Sequence, residues 1–558
     1  MFGFEGTSRD YAQAKESFRI DIPEYFNFAF DVVDARAGLD DRTAIIAVSR
    51  DGDLITPLTY KALRDLSNKF CNAVRHFGVR PGSYACTIIG RIPAWYTVTL
   101  GCMKAGVVSM PGTNLLTAKD IAYRINYAAA ETVIVTSEHC AKVDAIRHQC
   151  PTLKTCIVVD GQRDGWWSLD ALLAGAASDI SHPLPATRSE DAMMAYFTSG
   201  TTSLPKLVVR DHGYALAHAA TGLFWMDLRE TDIHWSLTDT GWAKAAWGML
   251  FPQLLLGTPS VLYDGSGQFD ADLHLKLIGK LKVTTFCAPP TAYRLFAQLD
   301  LSPYNLSSLR RCLSAGEPLN PEVLRYWKQH TGTTIADGYG QTETINIVGN
   351  FPGIEVRSGS MGKPVPGFDV DIIDDDGRRL PDGEIGHIGV KITDPYPRGL
   401  FRGYVIPDGA DQSSFRKGWY YTGDTAMRDS DGYIWFNGRA DDLISSAGYR
   451  ISPFEVESAL LEHPAVAESA VVGKDDKVRG QIVKAYIVLA NGHSPSDALA
   501  SEIQEFCKAQ TAPYKYPREI EFVGSLPKTI SGKIRRVELR QQQQEQADRM
   551  GAMNNNRD

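Results

Sequence analysis

A run of hydroxyl and glycine residues that ends in a lysine is the first feature of this sequence that could do chemistry. It consists of Thr198, Ser199, Gly200, Thr201, Thr202, Ser203, Leu204, Pro205 and Lys206. Gly200 allows a tight turn, the successive N–H groups and hydroxyls can donate to phosphate oxygens, and Lys206 adds a positive charge. The run therefore predicts a phosphate-binding loop, with a plain Ser/Thr/Gly turn as the alternative when the run is taken alone.

The spacing differs from that of a Walker A loop. Lys206 has no glycine directly before it, and no serine or threonine follows it. Because the Walker A loop needs both, the sequence disfavours a kinase or a motor ATPase.

A second group of residues surrounds a tyrosine and ends in an acid. It consists of Asp337, Gly338, Tyr339, Gly340, Gln341, Thr342 and Glu343, preceded by the segment Gly316, Glu317, Pro318. The glycines on either side of Tyr339 allow a backbone that presents its ring to a base, Thr342 can reach a phosphate, and Glu343 is a hard oxygen ligand suited to Mg²⁺. A turn with a packed tyrosine and a solvated glutamate is the alternative.

Two further motifs carry charge at turns. Asp424 follows a Thr-Gly turn and could accept hydrogen bonds from ribose hydroxyls, and Arg439 could pair with a phosphate. Lys533 lies in a basic glycine loop near the end of the chain. Solvated or ion-paired side chains are the alternative at all three positions.

The composition limits the class of protein. The chain has 558 residues, 44% of them hydrophobic, and a net charge of −8, which gives no general attraction to nucleic acid or to an anionic membrane. The first ten residues lack a signal-type pattern, and no long uncharged apolar stretch follows. The nine cysteines form no CxxC pair, which argues against a disulfide framework and a zinc site. We expect a cytoplasmic protein.

Hydrophobic patterning predicts an α/β fold. An amphipathic helix is expected over 62–76, and short apolar strands over 83–90, 132–136, 155–159, 193–197, 260–263 and 284–287. From 359 to 442 closely spaced turns predict an antiparallel or barrel-like part. Thereafter a helix at 455–461 and one near 503–508, with strands at 470–472, 482–488 and 520–523, predict an α+β domain of roughly 100 residues. The composition of 541–558 predicts disorder.

Together, and in this order, these motifs resemble those of the adenylate-forming superfamily, which contains acyl-CoA synthetases, luciferases and peptide-synthetase adenylation domains. The resemblance runs from about residue 25 to 540, and the strings GYGQTET, DTGW, VRGQIVKA and APYKYP are most similar to the medium-chain acyl-CoA synthetase branch. Ser203 departs from the glycine common in this superfamily. The resemblance implies a large N-terminal domain over 1–440 and a small, mobile C-terminal domain over 441–540.

The resemblance also implies an ATP-dependent carboxylate–CoA ligase that acts through an acyl-adenylate, with ATP, Mg²⁺ and CoA. The loop from Thr198 to Lys206 would bind the β and γ phosphates, and Tyr339 would cover the adenine beside Gly316–Pro318. The catalytic residues would be Lys533, Thr342 and Glu343. Lys533 would bridge the carboxylate and the α-phosphate, Thr342 would bind the α-phosphate, and Glu343 would bind magnesium. The ribose and phosphate contacts would come from Asp424 and Arg439.

In the same way, Asp441 matches the hinge about which the C-terminal domain rotates. The residues that would contact CoA are Ser446, Ala447, Gly448, Tyr449, Arg450, Arg479, Lys515 and Tyr516. The acyl pocket would include Trp242, Lys244, Trp247 and Cys287, and we expect short- to medium-chain acids, branched and aromatic ones included. Delivery of the acyl group to a carrier protein, a luciferase-like oxidation and a non-catalytic nucleotide binder are the alternatives.

Overall fold

The structure of the protein is a computed structural model. It describes residues 4–39, 41–180, 184, 186–198, 205–265, 267, 269–316, 321–406, 409–446, 449–476, 478–511, 514–528 and 534–555. For residues 321, 322, 450 and 546–555 the backbone alone is described. The chain divides into a larger unit, of residues 1–198, 206–370 and 391–415, and a smaller unit, of residues 199–205, 371–390 and 416–558.

The first sheet of the larger unit is built from apolar strands. In order across its described residues, these are Gly409–Asp411, Tyr404–Ile406, Leu207–Asp211, Ala192–Phe197, Val108–Pro111, Tyr84–Ile88, Thr132–Val135, Thr155–Val158 and Trp167–Ser168. From Ala192–Phe197 onward the strands are parallel, and the preceding three pairs are antiparallel. Residues such as Ile88 and Val133 are fully buried in the core of this sheet.

The second sheet carries the tyrosine motif. Within the larger unit its strands run in the order Ser360–Pro364, Asn346–Gly349, Ile335–Gly340, Arg311–Ala315, Thr285–Cys287, His234–Ser236, Ser260–Tyr263, Thr43–Val48 and Ile55–Thr59. The strands from Ile335–Gly340 to Thr43–Val48 are parallel, which brings their carboxyl ends to one edge. Trp235, Phe286, Tyr293 and Trp327 fill the core on this sheet. A separate antiparallel pair joins Phe4–Glu5 to Arg19–Ile20.

Helices connect these strands. They are Tyr11–Ser17, Ala29–Asp34, Ala35–Leu39, Tyr60–His76, Ala94–Ala105, Ala118–Tyr127, Ser137–Ile146, Arg147–Gln149, Leu169–Gly175, His212–Ala220, Thr221–Trp225, Ala243–Ala245, Ala246–Leu250, Phe251–Leu256, Ala271–Leu281, Pro290–Phe296 and Pro321–Thr331. The helix predicted from residue 62 begins at Tyr60, because the side chain of Thr59 accepts a hydrogen bond from the Ala62 N–H at 3.2 Å and so caps it.

The smaller unit contains two groups of strands. The first is Val370–Ile373, Ile385–Lys391, Phe415–Arg416, Trp419–Arg428 and Ile434–Arg439, in which only the end residues Val370, Lys391 and Phe415 belong to the larger unit. The second group, Ile444–Ser446, Tyr449–Ile451, Val466–Asp476, Gly480–Leu489 and Glu519–Phe522, forms a sheet that packs with the helices Pro453–Leu461 and Asp497–Gln510. The predicted α/β class, with parallel sheets and a following α+β part, is confirmed.

The expectation of disorder at the end of the chain stays a prediction, although the structure describes a helix there. The helix Arg536–Asn555 extends through much of the segment expected to be disordered. Its residues are mostly Gln, Glu, Arg and Ala, which favour helix even where they bury little apolar surface. The predicted domain boundary at residue 440 stays a prediction.

All nine cysteines are free and buried. In the part of the chain that the structure describes, no helix is long and apolar enough to cross a membrane.

Candidate active site

The predicted phosphate loop connects two antiparallel strands. Ala192–Phe197 leads into it and Leu207–Asp211 leaves it, and the Thr198 N–H donates to the Lys206 carbonyl at 2.9 Å. The base of the loop is therefore closed as a hairpin. Pro205 is half-buried, and the predicted residues Ser199, Gly200, Thr201, Thr202, Ser203 and Leu204 lie outside the described residues.

Lys206 is held by two neighbours that the sequence analysis did not identify. Its Nζ lies 3.2 Å from Oδ2 of Asp411 and 4.6 Å from the centre of the Tyr404 ring. Hydrogen bonds from Ser413, together with Lys206, lower the pKa of Asp411 to about 2, so this carboxylate stays ionised. Lys206 is thus a fixed positive charge at the end of the loop.

Glu343, the predicted magnesium ligand, lies in a turn after the strand Ile335–Gly340 and is buried. Its Oε1 accepts a hydrogen bond from the Tyr404 hydroxyl at 2.8 Å. Thr342 is half-buried in the same turn, which the Thr344 hydroxyl stabilises by accepting a hydrogen bond from the Gln341 N–H at 2.9 Å. The structure therefore brings Glu343 and Lys206 together through Tyr404.

A buried arginine supports this turn. Arg210 donates from Nη1 to the Glu343 carbonyl at 3.0 Å and also donates to the Gly399 carbonyl. Its guanidinium lies 3.8 Å from the centre of the Tyr214 ring. Sequence reasoning missed Arg210, although an arginine inside the apolar strand Leu207–Asp211 is a signal that could have identified it.

The glycines beside Tyr339 make room for two tryptophans, a role that was not predicted. A β-carbon on Gly338 would lie 2.5 Å from the Trp225 ring, and one on Gly340 would lie 2.5 Å from the Trp247 ring. Neither glycine adopts a positive φ. A larger residue at either position would collide with a tryptophan ring. Tyr339, which lies between the two glycines in the sequence, is half-buried.

Lys244 points into the protein. Its Nζ donates to the carbonyl of Ala315 at 3.1 Å, at the end of the strand that precedes Gly316. Burial raises the pKa of Asp337 to about 7, and the Gly338 N–H and Lys244 oppose that rise. Burial likewise raises the pKa of Cys287, which also lies near Lys244. Glu317 and Pro318 lie outside the described residues.

The two predicted pocket tryptophans differ in environment. Trp247 is buried, and its Nε1 donates to the Tyr214 hydroxyl at 3.3 Å. Trp242 is half-buried and lies directly before the short helix Ala243–Ala245. Trp247 is therefore part of the core, whereas Trp242 is the better candidate for a pocket wall.

In the smaller unit, the predicted ribose residues lie on adjacent strands. Asp424 and Arg439 are register partners, with Oδ1 of Asp424 3.4 Å from Nη1 of Arg439. Nε of Arg439 lies 3.3 Å from Oδ1 of Asp441, the predicted hinge residue. The three residues thus form one charged group.

The predicted CoA residues are dispersed over the small sheet and its loops. Tyr449 is exposed and stacks on Tyr514 with ring centres 4.2 Å apart, and Ser446 is buried. Lys515 pairs with Glu455 at 3.0 Å, and cations flank the ring of Tyr516. Arg450 and Arg479 lie on or beside strands, Ala447 and Gly448 lie outside the described residues, and the CoA assignments stay predictions.

Lys533 also lies outside the described residues, but the base of its loop is described. The backbones of Lys528 and Ile534 form an antiparallel β-bridge, and the Arg535 N–H donates to the Pro527 carbonyl at 2.8 Å. Beyond the loop, Arg536 bridges Asp442 and Glu457. The loop is therefore closed at its base and joined to the residue next to Asp441.

The donor set fits a magnesium ion that takes most of its ligands from substrate and water. Among the described residues there is no group of three or more His, Cys, Asp or Glu that could hold a metal. Mg²⁺ in phosphate-transferring sites is commonly bound by one or two carboxylates with substrate phosphates. Glu343, buried and close to the end of the phosphate loop, is suited to that role.

Two family models match this chain. The family described as AMP-binding enzyme matches residues 33–405, and the AMP-binding enzyme C-terminal domain matches residues 455–533. The chain is 42% identical over 545 residues to acyl-coenzyme A synthetase ACSM3, mitochondrial, of Mus musculus, covering 96% of this chain and 93% of the relative. It is 44% identical over 534 residues to acyl-coenzyme A synthetase ACSM4, mitochondrial, of Rattus norvegicus, covering 94% and 91%.

Among solved structures, the anthranilate CoA ligase AuaEII in complex with anthranoyl-AMP is similar to this chain. Its TM-score is 0.85 and its sequence identity 32%, with 95% of this chain and 99% of the ligase covered. This likeness extends over nearly all of both chains.

The comparisons overturn one prediction. The two mammalian relatives are named as mitochondrial, so the predicted cytoplasmic location is wrong. Free cysteines are typical of every reducing compartment, so they do not select one of them. The chain belongs to the AMP-binding enzyme family, in its medium-chain acyl-CoA synthetase branch, and is an AMP-forming acid–CoA ligase.

Proposed function

We propose that the enzyme uses ATP to convert short- to medium-chain carboxylic acids, branched and aromatic ones included, into acyl-adenylates and then into CoA thioesters. AMP and pyrophosphate are the other products. The observation that carries this proposal is the group formed by Lys206, Tyr404 and Glu343, which places an ammonium and a buried carboxylate in one network at the phosphate loop.

The first step joins two anions, a carboxylate and the α-phosphate. Catalysis must therefore come from orientation and from neutralising charge. In this proposal Lys206 and the loop before it bind the β and γ phosphates, Thr342 donates to the α-phosphate, and Lys533 neutralises the attacking carboxylate. Glu343 would hold a magnesium ion, which would neutralise charge on the phosphate oxygens.

Nucleotide recognition is assigned to two segments. Tyr339 would cover the adenine, and Asp424 would accept hydrogen bonds from the ribose hydroxyls. Because the Asp424 carboxylate is buried and also lies near Arg439, its orientation is already restricted before a nucleotide binds.

In the second step the CoA thiol attacks the acyl carbonyl of the adenylate, which forms the thioester and releases AMP. We assign this step to a rotation at Asp441 that brings the segment from Ser446 to Arg450 to the adenylate. The ion pair between Arg439 and Asp441 supports this choice, since a charged contact at the hinge would have to change when the backbone there turns.

The acyl side is assigned to the region around Trp242 and Lys244. The half-buried Trp242 and the inward direction of Lys244 support a compact pocket with one positive charge. The relative solved with anthranoyl-AMP is named as a ligase of an aromatic acid, which supports including aromatic acids in the panel of substrates. Delivery to a carrier protein is not favoured, because the relatives are named as CoA synthetases or CoA ligases.

Pyrophosphate release, measured against a panel of carboxylic acids with and without CoA, tests the proposal. We expect acid-dependent release with ATP and Mg²⁺, and AMP with a thioester in equal amounts only when CoA is present. ADP and phosphate as products would contradict the adenylate route. Thioester formed on an added carrier protein but not on CoA would establish the alternative.

A further inference from the structure

Tyr404 occupies a fixed place next to the phosphate loop. Its strand, Tyr404–Ile406, pairs with Leu207–Asp211 on one side, where Tyr404 is the register partner of Val208. On the other side it pairs with Gly409–Asp411, where Tyr404 is the partner of Asp411. Because both neighbours hold the backbone, the direction of the Tyr404 side chain is restricted by the sheet.

The side chain contacts the two predicted phosphate-site charges at once. The hydroxyl donates to Oε1 of Glu343 at 2.8 Å, and the ring centre lies 4.6 Å from Nζ of Lys206. The edge of the Phe401 ring packs against Tyr404, with ring centres 4.9 Å apart. Asp411 completes the group by pairing with Lys206 at 3.2 Å.

Each contact has a physical consequence. A buried carboxylate needs hydrogen bonds, and a donor to one particular oxygen limits its rotation about the last side-chain bond. A cation over an aromatic ring is held without losing its charge. One tyrosine can therefore fix both the orientation of an acid and the position of a lysine.

We infer that Tyr404 is a positioning residue that sets Glu343 and Lys206 in the arrangement needed to bind the magnesium and phosphates of ATP. The inference rests on the proposed function, in which Glu343 holds the metal. Removing a group that orients a metal ligand typically costs 10- to 100-fold in metal affinity or activity.

Tyr404→Phe is the test, because it removes the hydroxyl and keeps the ring beneath Lys206. Equilibrium binding of ATP should be measured by calorimetry at increasing Mg²⁺ and again in EDTA, alongside pyrophosphate release. We expect the Mg²⁺ concentration for half-maximal ATP binding to rise about 10-fold or more, while binding in EDTA stays close to wild type. Tyr404→Leu should also weaken ATP binding in EDTA, since it removes the ring contact to Lys206.

Tyr396→Phe is the matched control. Tyr396 lies in the same segment, donates from its hydroxyl to the Phe401 carbonyl at 2.6 Å and has the guanidinium of Arg402 4.8 Å from its ring. The variant therefore removes a tyrosine hydroxyl that contacts neither Glu343 nor Lys206. We expect the Mg²⁺ dependence of its ATP binding to equal that of the wild type.

Two outcomes would overturn the inference. One is a Tyr404→Phe protein whose Mg²⁺ dependence equals that of wild type; the other is a Tyr404→Phe protein altered only in its melting temperature, which would make the tyrosine a structural residue. Failure of the proposed function itself is distinguishable, because the wild-type enzyme would then show no Mg²⁺-dependent ATP binding and no acid-dependent pyrophosphate release.

Discussion

The indole of Trp247 occupies the space beside the α-carbon of Gly340, where a β-carbon would lie 2.5 Å from Cη2 of the ring. Gly340 ends the strand that carries Tyr339, and Trp247 belongs to the helical segment Ala246–Leu250 after Lys244. The strand that carries Tyr339 and the helical segment that follows Lys244 thus meet at one contact. A shift of either residue must move the other, because packed cores have little free volume.

Gly340→Ala is therefore expected to harm both segments. The new methyl would meet the Trp247 ring and the Ile345 carbonyl, and overpacking of this kind destabilises by about 1–3 kcal/mol. We expect a lower midpoint of urea unfolding and a higher KM for both ATP and the acid. Gly38→Ala is the control, since a β-carbon there has open space around it. Equal effects of the two substitutions would show that the contact does not matter.

Lys533→Ala should separate the two half-reactions. Loss of one contact that stabilises transition-state charge typically lowers a rate on the order of 10²–10³-fold. We expect that loss in acid-dependent pyrophosphate release, while thioester formation from a chemically prepared acyl-adenylate stays near wild type. Lys528→Ala, at the base of the same loop and paired with Glu468 at 2.8 Å, should leave both steps close to wild type. Equal losses in both steps after Lys533→Ala would reject its assignment to adenylation alone.

His274 should make stability depend on pH. It stacks on Trp235 with ring centres 5.3 Å apart, and burial lowers its pKa to about 4 from an ordinary 6.5. The unfolded chain therefore binds an additional proton between pH 6.5 and 4. Its contribution to stability is fully present above pH 6.5 and is lost as the pH falls toward 4, with a slope of about 1.4 kcal/mol per pH unit.

Urea unfolding at pH 7.5, 6 and 5 would measure this slope in the wild type and in His274→Gln. Buried carboxyl groups such as Asp337 have raised pKa values and act with the opposite sign, so the difference between the two proteins isolates the histidine. We expect the variant to lose less stability than the wild type on acidification. His148→Gln, at an exposed site, is the control, and parallel pH curves for His274→Gln and wild type would contradict the prediction.

The features predicted from sequence are those with a local signal. The strand Ala192–Phe197 and the loop after it follow from an apolar run beside hydroxyl and glycine residues. In contrast, Tyr404 and Asp411 lie about 200 positions from Lys206 and reach it only because two strands pair. Such pairing leaves no periodic pattern, so sequence reasoning had no means of joining these residues.

The same limit applies to neighbours that change how a predicted residue is interpreted. Lys515 was assigned to CoA from the family resemblance, and Glu455, 60 positions earlier, pairs with it. Gly338 and Gly340 were assigned to backbone freedom, yet tryptophans from distant segments require them. A residue type indicates which interactions are available, whereas the fold determines which of them form.

Substrate length should be set by Trp242, the half-buried tryptophan before Lys244. Each methylene that fits an apolar pocket contributes about 0.8 kcal/mol, and chains that are too long meet a packed core that resists expansion. We expect kcat/KM over straight acids of about two to sixteen carbons to peak between these extremes, with 2-methylbutyrate and benzoate also accepted. An optimum at acetate or beyond about twelve carbons would refute this pocket.

Trp242→Ala should move the optimum to longer acids, because it enlarges the pocket. Trp247→Phe is the comparison at a buried tryptophan. We expect it to lower the free energy of unfolding and to change the chain-length profile little. An unchanged profile in Trp242→Ala would place Trp242 in the core as well.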